Sequence, residues 1–172
     1  DLLKKKLPNA IFTKEPGGTK LGVKLRTMAL NGEAKSKIAE MFLFIADRAE
    51  HIEEVIKKNK NNTIVSDRSM ISGIAYASTL SIDKLIELNL IATNNILPTH
   101  VILLELTPAE LKCRLSKKEN DSIELRGIDY LINIQNRMKE TIKRLNINHI
   151  FIDADLEIEE IEKRIEDFIY AK

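Results

Sequence analysis

The run Thr13-Lys14-Glu15-Pro16-Gly17-Gly18-Thr19 combines a carboxylate, a proline that fixes one backbone angle, and two glycines that allow positive φ and close backbone approach. Apolar Ala10-Ile11-Phe12 precedes it and an amphipathic stretch follows, so it reads as a ligand-facing loop at a strand exit. Ser66-Asp67-Arg68-Ser69 closes a second apolar strand and opens a helical run. A carboxylate in that position can hold hydrated Mg²⁺, and the next residue can fork onto phosphate oxygens. A helix cap by Asp67 with Arg68 in a structural ion pair accounts for the same residues. Arg26, Arg48 and Arg68 are permanent cations at element ends that could together surround a doubly charged phosphate. Phe44 and Arg48 lie one helical turn apart with His51 nearby, which suits a flat base stacked on the ring and a polar edge or phosphate met by the guanidinium. The competing assignment is a satellite apolar contact plus a salt bridge from Arg48 to Asp47 or Glu50. Tyr76, two turns past Arg68 and on the face of Ser72, offers a wall of sugar size.

Short β-type runs at 10–13, 63–66, 100–106 and 149–153 alternate with helical patterns at 21–30, 36–59, 69–79, 82–96, 108–118, 127–145 and 157–171. The strands at Thr63-Ile64-Val65-Ser66 and Val101-Ile102-Leu103-Leu104 lack polar alternation, as expected when helices cover both sheet faces. The expectation is an α/β protein with a doubly wound parallel sheet. Sites in such sheets lie beyond the carboxyl ends of the strands, where the loops 14–19, Asp67-Arg68 and Asp153-Ala154-Asp155 all fall. Ser36, Ser81 and Thr107 are expected helix caps, and Pro98 a stop before the third strand. In the helix from Ser36, the spacing of Ile38, Met41, Phe42, Ile45, Ala49, Ile52 and Ile56 marks the expected buried stripe, with Phe44 and Arg48 displaced from it.

With 172 residues, 44% hydrophobic and 31% charged, the chain is long enough to bury one core, and a net charge of +1 provides no field for nucleic acid or an anionic membrane. Lys4-Lys5-Lys6, Lys57-Lys58 and Lys117-Lys118 read as solvated helix ends. The lone Cys113 and the lack of any CxxC pair fit a reducing compartment, and no apolar run has membrane-spanning length. His51, His100 and His149 lack metal-ligand spacing and read as structural or surface groups. A cytoplasmic single domain is expected.

Glu15-Pro16-Gly17-Gly18-Thr19, Leu25-Arg26, Phe42-Leu43-Phe44-Ile45-Ala46-Asp47-Arg48, Ser66-Asp67-Arg68-Ser69 and Ser72-Gly73-Ile74-Ala75-Tyr76, in this order, closely resemble the bacterial thymidylate kinases. The likeness extends over almost the whole chain, including a lid-like stretch from Arg114 through Asp121-Ser122-Ile123-Glu124. It implies a P-loop kinase-like, three-layer α/β fold forming one nucleoside-monophosphate-kinase-like domain over 1–172, with a lid at about 114–127. It further implies transfer of the ATP γ-phosphoryl group to dTMP with Mg²⁺, giving dTDP, in a cytoplasmic homodimer. By the resemblance Phe44 would stack on thymine, Arg48 would meet the base side, Arg26 and Arg68 would bind the acceptor phosphate, and Tyr76 would press on the deoxyribose. Pro16, Ser72 and Gly73 would complete the dTMP site. Glu15 and Asp67 would organise Mg²⁺ and its waters and, with Arg68, form the catalytic set. Arg114, Lys117, Lys118 and Arg126 would serve ATP and the lid. An acceptor phosphate with second pKa near ~6 is already largely dianionic at neutral pH, so transfer needs alignment and charge neutralisation more than a base.

Members of that family carry a strand and a G-x-x-x-x-G-K-[ST] loop ahead of the helix represented here by residues 2–7, and this sequence contains neither. The expectation is that roughly 20 residues precede Asp1 in the natural protein, and that the chain without them binds acceptor without phosphoryl transfer. Gly73 and Ala77 stand where many relatives carry side chains that read thymine, and Ser122 where some carry a lid arginine, leaving Lys117, Lys118 or Arg126 as substitutes. The alternatives to a dTMP kinase are a related nucleoside or nucleotide kinase and a non-catalytic nucleotide-binding module.

Overall fold

Each apolar run expected as a strand forms one, and the strands pair in parallel within two compact units, Asp1–Leu97 and Pro98–Lys172. The computed structural model describes residues 2–117 and 124–171.

In the first unit, α1 (Leu2–Lys6) leads to β1 (Ile11–Lys14), α2 (Lys20–Leu30), α3 (Lys37–His51), β2 (Ile64–Asp67), α4 (Met70–Tyr76) and α5 (Ile82–Ala92). β1 and β2 run in register from Ile11↔Ile64 to Lys14↔Asp67. The expected caps are present in part. Ser36 Oγ accepts from Ala39 N at 3.4 Å, whereas Ser81 sits at the start of α5 without a side-chain cap bond. Thr19 supplies a cap that the loop reading did not assign, accepting from Gly22 N at 2.9 Å and so satisfying one of the free amides of α2. α5 stops short of the expected 96 because Asn94 and Asn95 take φ of 51° and 59°, a left-handed conformation that asparagine tolerates. Beyond His51 the long helix continues as a π turn (Ile52–Ile56) and a 3₁₀ turn (Lys57–Asn59). The core gathers Met70, Ile71, Ile74 and Ala75 of α4 with Leu85 of α5, all at most 4% exposed. Each of the larger of these side chains contributes about 1.5–3 kcal/mol by leaving water.

The buried stripe of α3 differs from the periodic reading. Ile38 and Phe42 are 40% and 48% exposed, while Asp47, Arg48 and His51 are 1%, 4% and 1% exposed. Period alone ranks apolar over charged residues; here the charged residues find partners inside, so they can occupy the inner face.

The second unit holds β3 (His100–Glu105), α6 (Pro108–Leu115), a 3₁₀ turn (Glu124–Arg126), α7 (Ile128–Arg144), β4 (Asn148–Asp153) and α8 (Ile158–Tyr170). β3 and β4 pair from His100↔Asn148 to Glu105↔Asp153. Thr107 and Glu110 form the capping box of α6, with Thr107 N donating to Glu110 Oε2 at 2.6 Å. Just past β3, Gln135 of α7 accepts from Leu106 N at 2.9 Å and donates to Leu106 O at 3.2 Å, satisfying both backbone groups where the ladder ends. Ile134, Ile142, Ile147, Ile152 and Ile165 form its buried apolar centre.

Candidate functional site

The β1 and β2 register brings Lys14 beside Asp67, so the loop 15–19 and Asp67-Arg68 leave the same end of the first unit's sheet. Glu15 N donates to Asp67 O at 3.0 Å and extends the ladder by one step. The Glu15–Pro16 peptide is cis, and Gly17 follows with φ of 93°, a conformation that strains any residue bearing a Cβ.

Glu15 is turned inward and 7% exposed. Its Oε2 accepts from Arg48 Nε at 2.9 Å, and its Oε1 lies 2.8 Å from His51 Nδ1. A carboxylate only accepts, so Nδ1 is the donor; the far ring nitrogen, Nε2, lies 2.7 Å from Thr13 Oγ1. Arg48 Nη1 donates to Asn89 Oδ1 at 2.5 Å, and the Asn89 amide nitrogen donates to Leu85 O at 2.6 Å. The competing assignment for Arg48 named Asp47 or Glu50 as its ion-pair partner; the partner is Glu15, 33 residues earlier.

Asp47 reaches back from α3 to accept from Gly17 N at 2.9 Å, pinning the loop where its backbone turns. Its Oδ2 has no hydrogen-bond partner among the described residues. Burial pushes the Asp47 carboxyl above its usual 3.8; the Gly17 amide opposes that shift, the Glu15 carboxylate adds to it, and Arg48 and His51 lower it.

Around this buried network stand the solvent-facing groups. Arg26 of α2 donates through Nη1 to Pro16 O at 2.9 Å. Arg68 is exposed, adopts φ of 68°, and its guanidinium lies 5.7 Å from the Tyr76 ring centroid. The two side chains are neighbours as expected, although Arg68 lies ahead of α4 and not on a helical face with Tyr76. Ser69 caps α4 by accepting from Ile71 N at 3.4 Å, so Asp67 is not the cap. Phe44, Ser72 and Gly73 are half-buried, and a Cβ on Gly73 would stand 2.7 Å from Arg48 Nη2. Of the expected arginine trio, Arg48 is inside and charge-compensated, while Arg26 and Arg68 remain at the surface.

In the second unit Arg114 Nη2 donates to Ala154 O and lies 3.5 Å from Asp155 Oδ1, tying α6 to the loop after β4. Arg126 donates to Tyr130 Oη at 3.1 Å, and Lys117 is exposed. Lys118 and Asp121-Ser122-Ile123 of the expected lid lie outside the described residues.

Among the described residues no group of three or more His, Cys, Asp or Glu side chains is arranged to hold a metal ion. Asp67 is exposed at the strand end and is free to face a hydrated cation, whereas both oxygens of Glu15 already have partners. Asn89 escaped the sequence reading, since it belongs to no motif; Thr13 opened the loop run but was given no partner there. The available signal for Asn89 was an amide within Leu85-Ile86-Glu87-Leu88-Asn89-Leu90-Ile91, four residues past the fully buried Leu85.

Parallel strand pairs flanked by helices, with polar loops at the strand ends, define an α/β protein. A solved structure of thymidylate kinase from Ehrlichia chaffeensis matches the fold with a TM-score of 0.72 at 18% identity, over 98% of this chain and 85% of that one. The family model for thymidylate kinase matches residues 1–165, and the chain belongs to the thymidylate kinase family. It is 78% identical over 172 residues to a thymidylate kinase of Aliarcobacter butzleri, covering 100% of this chain and 91% of that protein. A thymidylate kinase of Wolinella succinogenes is 54% identical over 164 residues, covering 95% and 86%.

Proposed function

We propose that this protein phosphorylates dTMP to dTDP with ATP as phosphoryl donor, and that the first unit carries the acceptor site. Family membership over residues 1–165 carries the reaction class. What supports the placement is the β1 and β2 register, which sends the loop 15–19 and Asp67-Arg68 out of the same sheet end.

Arg26 and Arg68 neutralise the acceptor phosphate, which as a dianion needs charge compensation and alignment rather than deprotonation. Phe44 stacks on the base, Arg48 meets its polar edge, and Tyr76 bounds the sugar beside Ser72 and Gly73. Pro16 shapes the loop that Asp47 and Arg26 hold through the Gly17 amide and the Pro16 carbonyl. Asp67 would hold Mg²⁺ through its water shell, while Glu15, expected to share that role, is turned inward and instead holds Arg48 and His51. The ion, when bound, supplies positive charge to the transferring group. Arg114, Lys117, Lys118 and Arg126 provide cations toward ATP.

The enzyme acts in the cytoplasm; no helix among the described residues is long and apolar enough to cross a membrane. Exposed Ile38 and Phe42, one turn apart on α3, form the centre of a homodimer contact. The deciding experiment is ADP release by the natural protein with dTMP, dUMP, dCMP and thymidine as acceptors. Turnover strongest with dTMP supports the reading; turnover with thymidine but not dTMP overturns it.

A further inference from the structure

Arg48 carries a donor that no described residue uses. Its Nε goes to Glu15 and its Nη1 to Asn89, while Nη2 makes no hydrogen bond among the described residues. Because a guanidinium is a rigid planar fork, fixing two of its nitrogens fixes the direction of the third. Nη2 lies 2.7 Å from the place a Cβ of Gly73 would occupy, and Nη1 and the central carbon lie 3.2 and 3.3 Å from it. The guanidinium therefore fills the space that a side chain at position 73 would take. Asn89 is itself oriented: its amide nitrogen donates to Leu85 O, which leaves Oδ1 facing Arg48, and the residue is 2% exposed.

We propose that Asn89 is a positioning residue and Gly73 a specificity-determining one, together aiming Arg48 Nη2 at the base of the acceptor. The inference rests on the reading of Arg48 as the base-side contact of a dTMP kinase. An arginine only donates, so the aimed nitrogen favours a pyrimidine edge that presents a carbonyl oxygen over one that presents an amino group. Gly73 makes this possible without a base-reading side chain of its own. Glu15 supplies the charge that lets Arg48 stay buried, and Asn89 supplies the direction.

Two variants test it by calorimetric binding of dTMP and dCMP together with thermal unfolding. Asn89→Leu keeps the branched shape and removes the acceptor, and should weaken dTMP binding about tenfold or more and narrow the dTMP to dCMP preference. Gly73→Ala places a methyl against a fork pinned at two other points; because position 73 is helical with no positive φ, alanine suits the backbone. The displaced guanidinium strains its bonds to Glu15 and Asn89, so the melting temperature should fall, and dTMP binding should weaken with the same preference narrowed. A structural role alone would move stability and leave the preference intact. Wild-type protein that binds dTMP, with Gly73→Ala retaining its affinity and preference, overturns this inference and leaves the kinase reading standing. Wild-type protein that binds no dTMP overturns both.

Discussion

Glu15 and Arg48 meet inside the first unit with Nε 2.9 Å from Oε2, their side chains 8% and 5% exposed, so the acidic residue of the Pro-Gly-Gly loop faces the protein and not the solvent. Removing one partner leaves a buried charge without its counterion, which costs far more than an exposed pair is worth. Glu15→Ala should destabilise the fold by about 3–5 kcal/mol in urea unfolding. Replacing both, as Glu15→Ala with Arg48→Met, should cost clearly less than the two single changes added together. Additive losses would show that the pair is not coupled.

Asp47 makes a pH-dependent contribution. Its folded pKa is raised above 3.8 chiefly by burial, so the stability tied to its neutral form is fully present below that value and is lost as pH rises through the folded pKa. Asp47→Asn stays neutral throughout and keeps an oxygen for the Gly17 amide. The stability of the variant minus that of the wild type should therefore increase as pH rises from about 3.5 toward 7. A difference that stays flat across this range would contradict the assignment.

Arg68 separates function from stability. It is exposed, with the Tyr76 ring 5.7 Å away, and holds φ of 68°, which costs an L-residue roughly 1 kcal/mol that glycine does not incur. Arg68→Gly should unfold at the same or slightly higher denaturant concentration. Loss of a phosphate-facing cation should lower turnover of dTMP about 10²-fold or more. Parallel losses of stability and turnover would assign Arg68 a structural role.

Phe42 tests assembly. At 48% exposure, beside Ile38 at 40%, it is a large apolar side chain left on the surface of α3. Phe42→Glu should change the sedimentation behaviour from dimer to monomer and leave the helix content of the chain unchanged. A wild-type protein that sediments as a monomer at micromolar concentration would exclude this contact.

The strands and most helix bounds were legible because they depend on local signals: unbroken apolar runs, the proline stop at Pro98, and hydroxyl caps at Ser36 and Thr107, whereas the asparagine stop after α5 was missed. The loops that meet at the sheet end were equally legible, since parallel strands place their exits together. The inner face of α3 was not. Its burial is decided by Glu15 and Asn89, separated from Arg48 by 33 and 41 residues, and no periodic count includes a partner that distant. Arg48 was assigned to the site from its type, yet its direction depends on Asn89, an amide in an apolar helix with no motif around it. The same holds for Asp47, whose partner is a backbone amide and so leaves no trace in residue identity.

Gln135 joins helix to strand by copying what a neighbouring strand would have offered Leu106, one acceptor and one donor at fixed separation. Position 135 is thereby a spacer of set length between α7 and the end of β3. Asparagine has the same amide but lacks a methylene, so it would meet Leu106 only if the helix moved inward. The distance between these two elements is thus recorded in the number of carbons on one side chain.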